Sequence, residues 1–395
     1  LSATFLVTGG TGFIGSHVAA ELLRRGQNVV LLARPRGRMT AHERVDRLFD
    51  WFGFAPLERR RLAVVEGQLD EPGLGIERSR YEELVASIDE IVHCASSTSF
   101  SERKRAEIVR ANVTNLGAVL DLASSGGCSF FHHVSTAYAA GRREGPCPEE
   151  LAEAREFANV YEETKHRGEV IVAERCASEG IGLNIYRPSI VYGDSRTGRT
   201  IRFDGVYYPV KAVSFFKNLY ERDMAEHAGR RAREMGISID GRGRMNLPIR
   251  VLASSSGGVN LIPIDFFVSA FMAIMDEGPA GGVFHIVNPR LTTIDELAAW
   301  TGDFFNVSGL RSVGPEEFAA APRSPLELLF ERSIEAYTPY LNDTRLFQNA
   351  LTAAVLEKRG IECPAFDEPM FSRCMRYAIE VDWGARLLPE AEEGR

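Results

Sequence analysis

Apolar runs bounded by turn residues recur along the first half of the chain: "TFLVTG", "QNVVLLAR", "RRLAVVEG", "DEIVHCA", "SFFHHVST" and "GLNIYRPSIVYG". Between most of them the apolar positions fall at helical spacing. Strands alternating with helices imply an α/β protein, a doubly wound parallel sheet covered on both faces, which takes ligands at the carboxyl ends of its strands. After Gly193 the rhythm changes. Tyr207 to Gly236 reads as one long amphipathic helix, followed by a Gly- and Ser-rich passage to Gly258, then "NLIPIDFFVSAFMAIMDEG" and a short strand "VFHIVNP". The remainder is mostly helical, without internal repeats. We expect residues 1–192, with a returning segment at about 258–278, to form the sheet domain. Residues 193–257 and 279–395 are expected to form a smaller, mostly helical substrate-binding domain.

Within "TGGTGFIG" the glycines at 9, 12 and 15 let the backbone turn tightly, admit a pyrophosphate and let the next helix pack on its strand. That helix turns its N-terminal N–H groups and positive dipole end toward the phosphates. The strand, turn and helix together predict a dinucleotide-binding Rossmann domain. At the end of the second strand, an acidic residue would hold a ribose 2'-hydroxyl; here "ARPRGR" offers Arg34, Arg36 and Arg38, and Arg44 follows on a predicted helix. This predicts NADPH as the cofactor, the alternative being a solvated basic loop.

In "NVYEETKHRGEVIVAE", Tyr161 and Lys165 stand four apart on one helical face. A phenol of pKa about 10 gains acidity from a neighbouring ammonium, which makes Tyr161 the expected proton donor. "FFHHVSTAY" ends a strand with Ser135 and Thr136, either of which could hydrogen-bond a carbonyl oxygen gaining charge. Strand alternation allows only one of them to face the substrate.

Composition narrows the class. The chain has 395 residues, is 45% hydrophobic and carries a net charge of -8, which suits a globular enzyme better than a nucleic-acid binder. Six cysteines without a C-x-x-C pair read as free thiols, and His132 and His133, adjacent in a strand, cannot grip one metal together. We expect no metal. No segment reaches the length of a membrane span, and the expected location is cytoplasmic. Because the chain starts at Leu1 and not at Met, excision from a larger multidomain enzyme stays open.

With these residues in place the chain resembles the extended short-chain dehydrogenase/reductases, in the branch of thioester reductase domains and fatty acyl-CoA reductases. The likeness is carried by "VTGGTGFIG", "GQLDEPGLG", "VHCASSTSF", "RANVTNLGAVLDLA", "VSTAY", "YEETK" and "YRPSIVYGDSRTG", over roughly the first 290 residues. The resemblance implies Thr136, Tyr161 and Lys165 as catalytic. It sets Gly9, Thr11, Gly12, Phe13, Ile14 and Gly15 at the pyrophosphate and Arg34 and Arg44 at the 2'-phosphate. Gln68 and Leu69 would stand by the adenine, Ala95 and Ser96 by the ribose, and Asn112 in a supporting polar role. Pro188 and Ser189 would lie near the nicotinamide and Lys165 on its ribose. Gln68 stands where the family usually has Asp; its amide can still accept from the adenine amino group, and the site is expected to survive. The implied reaction is NADPH-dependent reduction of an acyl thioester, bound to CoA or to an acyl or peptidyl carrier protein. The product would be an aldehyde or, after a second hydride, an alcohol.

Two rivals remain on sequence grounds: a related reductase of a free aldehyde, sterol-like or nucleotide-sugar substrate, and a non-catalytic NADP sensor. An intact Tyr161 and Lys165 argue against the sensor. The basic residues Lys217, Arg222, His227, Arg230, Arg231 and Arg233 are interleaved with acids and read as a solvated face. Val213, Phe216, Leu219 and Tyr220 read as core or pocket wall.

Overall fold

A computed structural model describes residues 2–143, 145–151, 153, 156–253 and 257–387; Leu1 and the serines at 254–256 of the Gly- and Ser-rich passage lie outside the described residues. Seven strands build the central sheet: β1 (Thr4–Thr8), β2 (Asn28–Ala33), β3 (Leu62–Glu66), β4 (Glu90–His93), β5 (Phe130–Val134), β6 (Gly182–Pro188) and β7 (Val283–Ile286). Their order is β7-β6-β5-β4-β1-β2-β3, and every neighbouring pair is parallel. The inner strands are apolar without alternation because helices cover both faces: Phe5, Leu6, Val7, Val29, Leu31, Ile91 and Val92 are all buried. The chain winds outward from β1 to β3, then resumes on the other side at β4. The carboxyl ends of β1 and β4 therefore flank the crevice where such sheets take ligands.

Five helices set the site: α1 (Phe13–Arg24), α2 (Ala41–Trp51), α3 (Val160–Glu179), α4 (Tyr207–Glu226) and α5 (Ile264–Glu277). α3 is the unusual one. Its N-cap Asn159 accepts from the Glu162 N–H at 3.1 Å, and Gly180 closes it in the left-handed conformation at φ 69°. Its inward face carries Glu162, Lys165 and Glu169, all buried, among Val160, Gly168 and Val172. Glu169 is held by the buried Arg187 of β6 through two bonds of 2.9 and 2.6 Å.

Three expectations need correction. The run "GLNIYRPSIVYG" is two strands, because Pro188 has no N–H with which to extend the ladder. Beyond it Ile190–Tyr192 leaves the sheet to pair with Leu261–Pro263. The sheet domain also extends past the expected boundary at 278. β7 pairs with β6, and Phe284 and Ile286 share a core with Val355 and Leu356 of the helix Ala350–Lys358. Finally, the helix expected from Tyr207 to Gly236 stops at Glu226. Ala228 and Gly229 take positive φ of 53° and 67°, and a short helix, Arg230–Glu234, follows.

The smaller unit packs α4 and the helix Pro325–Ile334 on the strands Met245–Leu252 and Val307–Val313 around Phe216, Tyr220, Leu247, Phe330 and Phe371. Val213, Phe216 and Tyr220 are buried there, whereas Leu219 is exposed; Lys217 pairs with Glu221 at 2.6 Å along the helix surface. No helix among the described residues is long and apolar enough to cross a membrane.

Removing one partner of a buried ion pair strands the other, which typically costs about 3–5 kcal/mol. Arg187→Met is expected to lower unfolding free energy by about that amount in urea titrations, and adding Glu169→Leu to recover most of it. An Arg187→Met protein as stable as wild type would show that the pair contributes nothing.

Candidate active site

The turn after β1 is tight because nothing larger than glycine fits it. Gly9 sits at φ +70°, and a Cβ there would stand 2.6 Å from the Ala95 nitrogen; one on Gly15 would stand 2.4 Å from the Gly9 carbonyl oxygen. Gly12, the N-cap of α1, offers no side-chain cap, so the helix presents its first N–H groups to whatever lies over the turn. These features fit a dinucleotide pyrophosphate.

Arg44 of α2 reaches back to the end of β2, donating to the Arg34 carbonyl at 2.5 Å and to the Thr11 hydroxyl at 3.3 Å. Thr11, Arg34 and Arg44 thus form one cluster at the far end of the glycine turn. Gln68 and Leu69 follow β3; the Gln68 amide donates to Glu71 at 3.0 Å, and Leu69 packs on the core beneath. Ala95 and Ser96 follow β4. Asn112 lies in a π-helical turn, Arg110–Thr114, and is buried. Its amide oxygen accepts from the Ser97 N–H at 2.6 Å, and its nitrogen donates to the Ser97 carbonyl at 3.0 Å and the Thr164 hydroxyl at 2.9 Å. It ties the loop after β4 to the helix that carries Tyr161.

The side chains of Thr136, Tyr161 and Lys165 converge beyond β5. A cavity of about 260 Å³ is lined by Gly9, Gly12, Phe13, Ile14 and Gly15 on one side and by Ser96, Thr136, Tyr161, Lys165, Pro188 and Ser189 on the other. Ser135 lines it too. β5 ends at Val134, and both Ser135 and Thr136 lie along the cavity, the Thr136 hydroxyl donating to the Pro188 carbonyl at 3.4 Å. Among the described residues the buried hydroxyls of Ser135 and Ser189 have no hydrogen-bond partner, an arrangement suited to a polar ligand.

Spacing alone suggested that Lys165 would acidify Tyr161. Burial governs instead. It pushes the phenol up to about 12, against smaller downward effects of the Thr136 hydroxyl and the Arg202 guanidinium. Burial also brings the Lys165 ammonium down to about 8, opposed by the Glu169 carboxylate. Lys165 donates to the Val134 carbonyl at 2.7 Å.

Phe100, Tyr138, Arg202, Asp204, Tyr337 and Tyr340 also line the cavity. Arg202 pairs with Asp204 and donates to the Thr98 hydroxyl at 2.7 Å. Behind the wall, Arg345 is buried and bonds Glu162 at 3.2 and 3.4 Å, Asp343 at 2.8 Å and the Gly141 carbonyl at 3.2 Å, with its guanidinium over the Tyr138 ring. His132 bonds the Tyr186 hydroxyl and Glu90 while His133 stacks on His93, so the two point apart. Among the described residues no group of three or more His, Cys, Asp or Glu is placed to hold a metal.

Residues 7–271 match the family model described as male sterility protein, an NAD-binding family. The chain belongs to this family. Among relatives of this family member, a linear gramicidin synthase of Brevibacillus parabrevis is 24% identical over 94% of the chain, which spans 7% of that protein. Human fatty acyl-CoA reductase 2 is 28% identical over 48% of the chain and 43% of its own length. The terminal R domain of the myxalamid biosynthetic pathway superposes with a TM-score of 0.74 at 21% identity, covering 96% of this chain and 91% of that one. The fold is that of an extended short-chain dehydrogenase/reductase.

A methyl group on Gly15 must displace the turn. Overpacking of about 1–3 kcal/mol corresponds to roughly tenfold or more in affinity, so Gly15→Ala is expected to weaken NAD(P)H binding by that factor in a fluorescence titration. An unchanged Kd would separate the turn from the cofactor.

Proposed function

We propose that the protein is an NADPH-dependent reductase of an acyl thioester, carried by CoA or by a carrier protein, with Tyr161 as proton donor. The observation that carries this reading is the convergence of the Thr136 hydroxyl, the Tyr161 phenol and the Lys165 ammonium in one cavity with the glycine turn. The choice of a thioester rests on family membership and on relatives named as fatty acyl-CoA reductases and a linear gramicidin synthase. The choice of NADPH rests on the cluster of Thr11, Arg34 and Arg44, where a carboxylate would otherwise meet a ribose hydroxyl.

When bound, the reduced nicotinamide supplies a hydride to the acyl carbon. The protein's own part is electrostatic and protonic. Thr136 and Tyr161 donate hydrogen bonds to the carbonyl oxygen as it gains charge. A phenol held at about 12 stays protonated throughout the neutral range and can give that proton to the oxygen. Arg202, the strongest charged group acting downward on the phenol, offsets the negative charge that then remains on Tyr161. Lys165, anchored on Val134, binds the nicotinamide ribose. The hemithioacetal so formed expels its thiol and leaves an aldehyde. Product mass then reads whether the aldehyde is released or reduced again.

Tyr161→Phe is expected to fold, to bind NADPH and to lose about 10²–10⁴-fold in kcat, and Lys165→Ala to lose turnover together with cofactor affinity. Full activity of either variant rejects the assignment. Arg44→Ala is expected to lower kcat/KM for NADPH by about tenfold or more, the value of a charge-assisted bond, while sparing NADH. Equal use of both cofactors, unaltered in this variant, rejects NADPH preference.

The pH dependence has a definite sign. The ammonium of Lys165 is present below about 8 and lost above it. kcat/KM for the cofactor reports the free enzyme, so it should fall as pH rises through about 8. In Lys165→Arg the fall should move to higher pH; an unmoved profile assigns it to another group.

A further inference from the structure

The cavity has a wall that neither the glycine turn nor the catalytic groups require. The Phe100 ring lies 5.7 Å from the Tyr161 ring, 5.7 Å from Tyr337 and 5.5 Å from Tyr340, and Tyr340 in turn meets Tyr138 edge-on at 4.9 Å. Tyr337 and Tyr340 come from the far end of the chain. From these contacts we propose that Phe100, Tyr337 and Tyr340 select the acyl group, and that they admit a compact one, up to the size of a single aromatic ring, in preference to a long saturated chain. The proposal rests on the reductase reading above and names its substrate class.

Three observations carry it. The first is room. At about 260 Å³ the cavity, which also takes in the space over the glycine turn, is smaller than the roughly 300–1,000 Å³ usual for ligand sites. Part of it serves the cofactor, so the share left for an acyl group is smaller still. The second is fixity. The Tyr340 hydroxyl accepts from the Asn159 amide at 2.8 Å, and the Tyr337 hydroxyl accepts from the Gly205 N–H at 3.4 Å. Arg345, five residues beyond Tyr340, anchors the segment to Glu162 on the Tyr161 helix. Swinging Tyr340 aside for a long chain would break its bond to Asn159, the N-cap of the helix that carries Tyr161. The third is chemistry. The wall presents ring faces and edges beside the reacting carbonyl, and aromatic groups pair with one another in offset or edge-on geometry at centroid separations of about 4.5–7 Å, gaining beyond simple burial.

The test uses the full chain with NADPH and two matched probe sets: butyryl-, benzoyl- and palmitoyl-CoA, and butanal, benzaldehyde and hexadecanal. Butyryl and benzoyl probes are expected to exceed the palmitoyl probe in kcat/KM by about tenfold or more, and Tyr337→Ala and Phe100→Ala each to shrink that ratio by about tenfold, with KM for NADPH unchanged. If the thioesters are inert while the aldehydes follow this ranking and both variants relax it, the wall stands and the thioester reading falls. A wild-type preference for the C16 probes overturns the proposal. So does a ranking that neither variant alters, or inactivity toward both sets.

Discussion

The site depends on charge buried along one face of α3. Water is excluded from Glu162, Lys165 and Glu169, and an ion taken from water into a protein interior loses several kcal/mol unless partners replace the solvent. Each has been given a partner from a different part of the fold. Glu162 meets Arg345 from the C-terminal region, Lys165 meets the last carbonyl of β5, and Glu169 meets Arg187 of β6. Because these partners are fixed, the helix is fixed in rotation and in height above the sheet. Tyr161, one residue before Glu162, inherits its place from that arrangement.

The same face explains why burial, rather than the lysine, governs the acidity of the phenol. A group surrounded by Phe100, Thr136 and the wall rings loses hydration for its anion, while the ammonium one turn away is engaged with a backbone oxygen. A high phenol pKa makes Tyr161 a proton reservoir at neutral pH. Thr136 and Arg202 act against this, both favouring the phenolate.

The sheet was legible because its strands are apolar on both faces, and the glycine turn because Gly9 and Gly15 tolerate no Cβ. Thr136, Tyr161 and Lys165 stand out in the sequence by type and spacing, and the fold brings them to one cavity. Other features were written in contacts that no local pattern carries. The inward face of α3 is charged, so its burial leaves little apolar periodicity, and its partners at positions 187 and 345 are remote in sequence. β7 is four residues long and joins the sheet only through pairing with β6. The break at Ala228 lies in a stretch whose composition favours continued helix. Tyr337 and Tyr340 meet Phe100 across more than 200 residues of chain, a contact that no local pattern announces.

The bond from Arg345 to Glu162 links positions far apart in the chain, and Arg345 lies well beyond residue 271, where the family match ends. The stretch that the family model matches thus contains a buried carboxylate whose counter-ion lies outside it. The C-terminal third is tied to the sheet domain at several points: Arg345 at Glu162, Tyr340 at Asn159, and Val355 and Leu356 in the sheet core. On the proposed specificity, exchanging rings on either side of Arg345 would reshape the acyl pocket while the arginine keeps its hold on the helix that carries Tyr161.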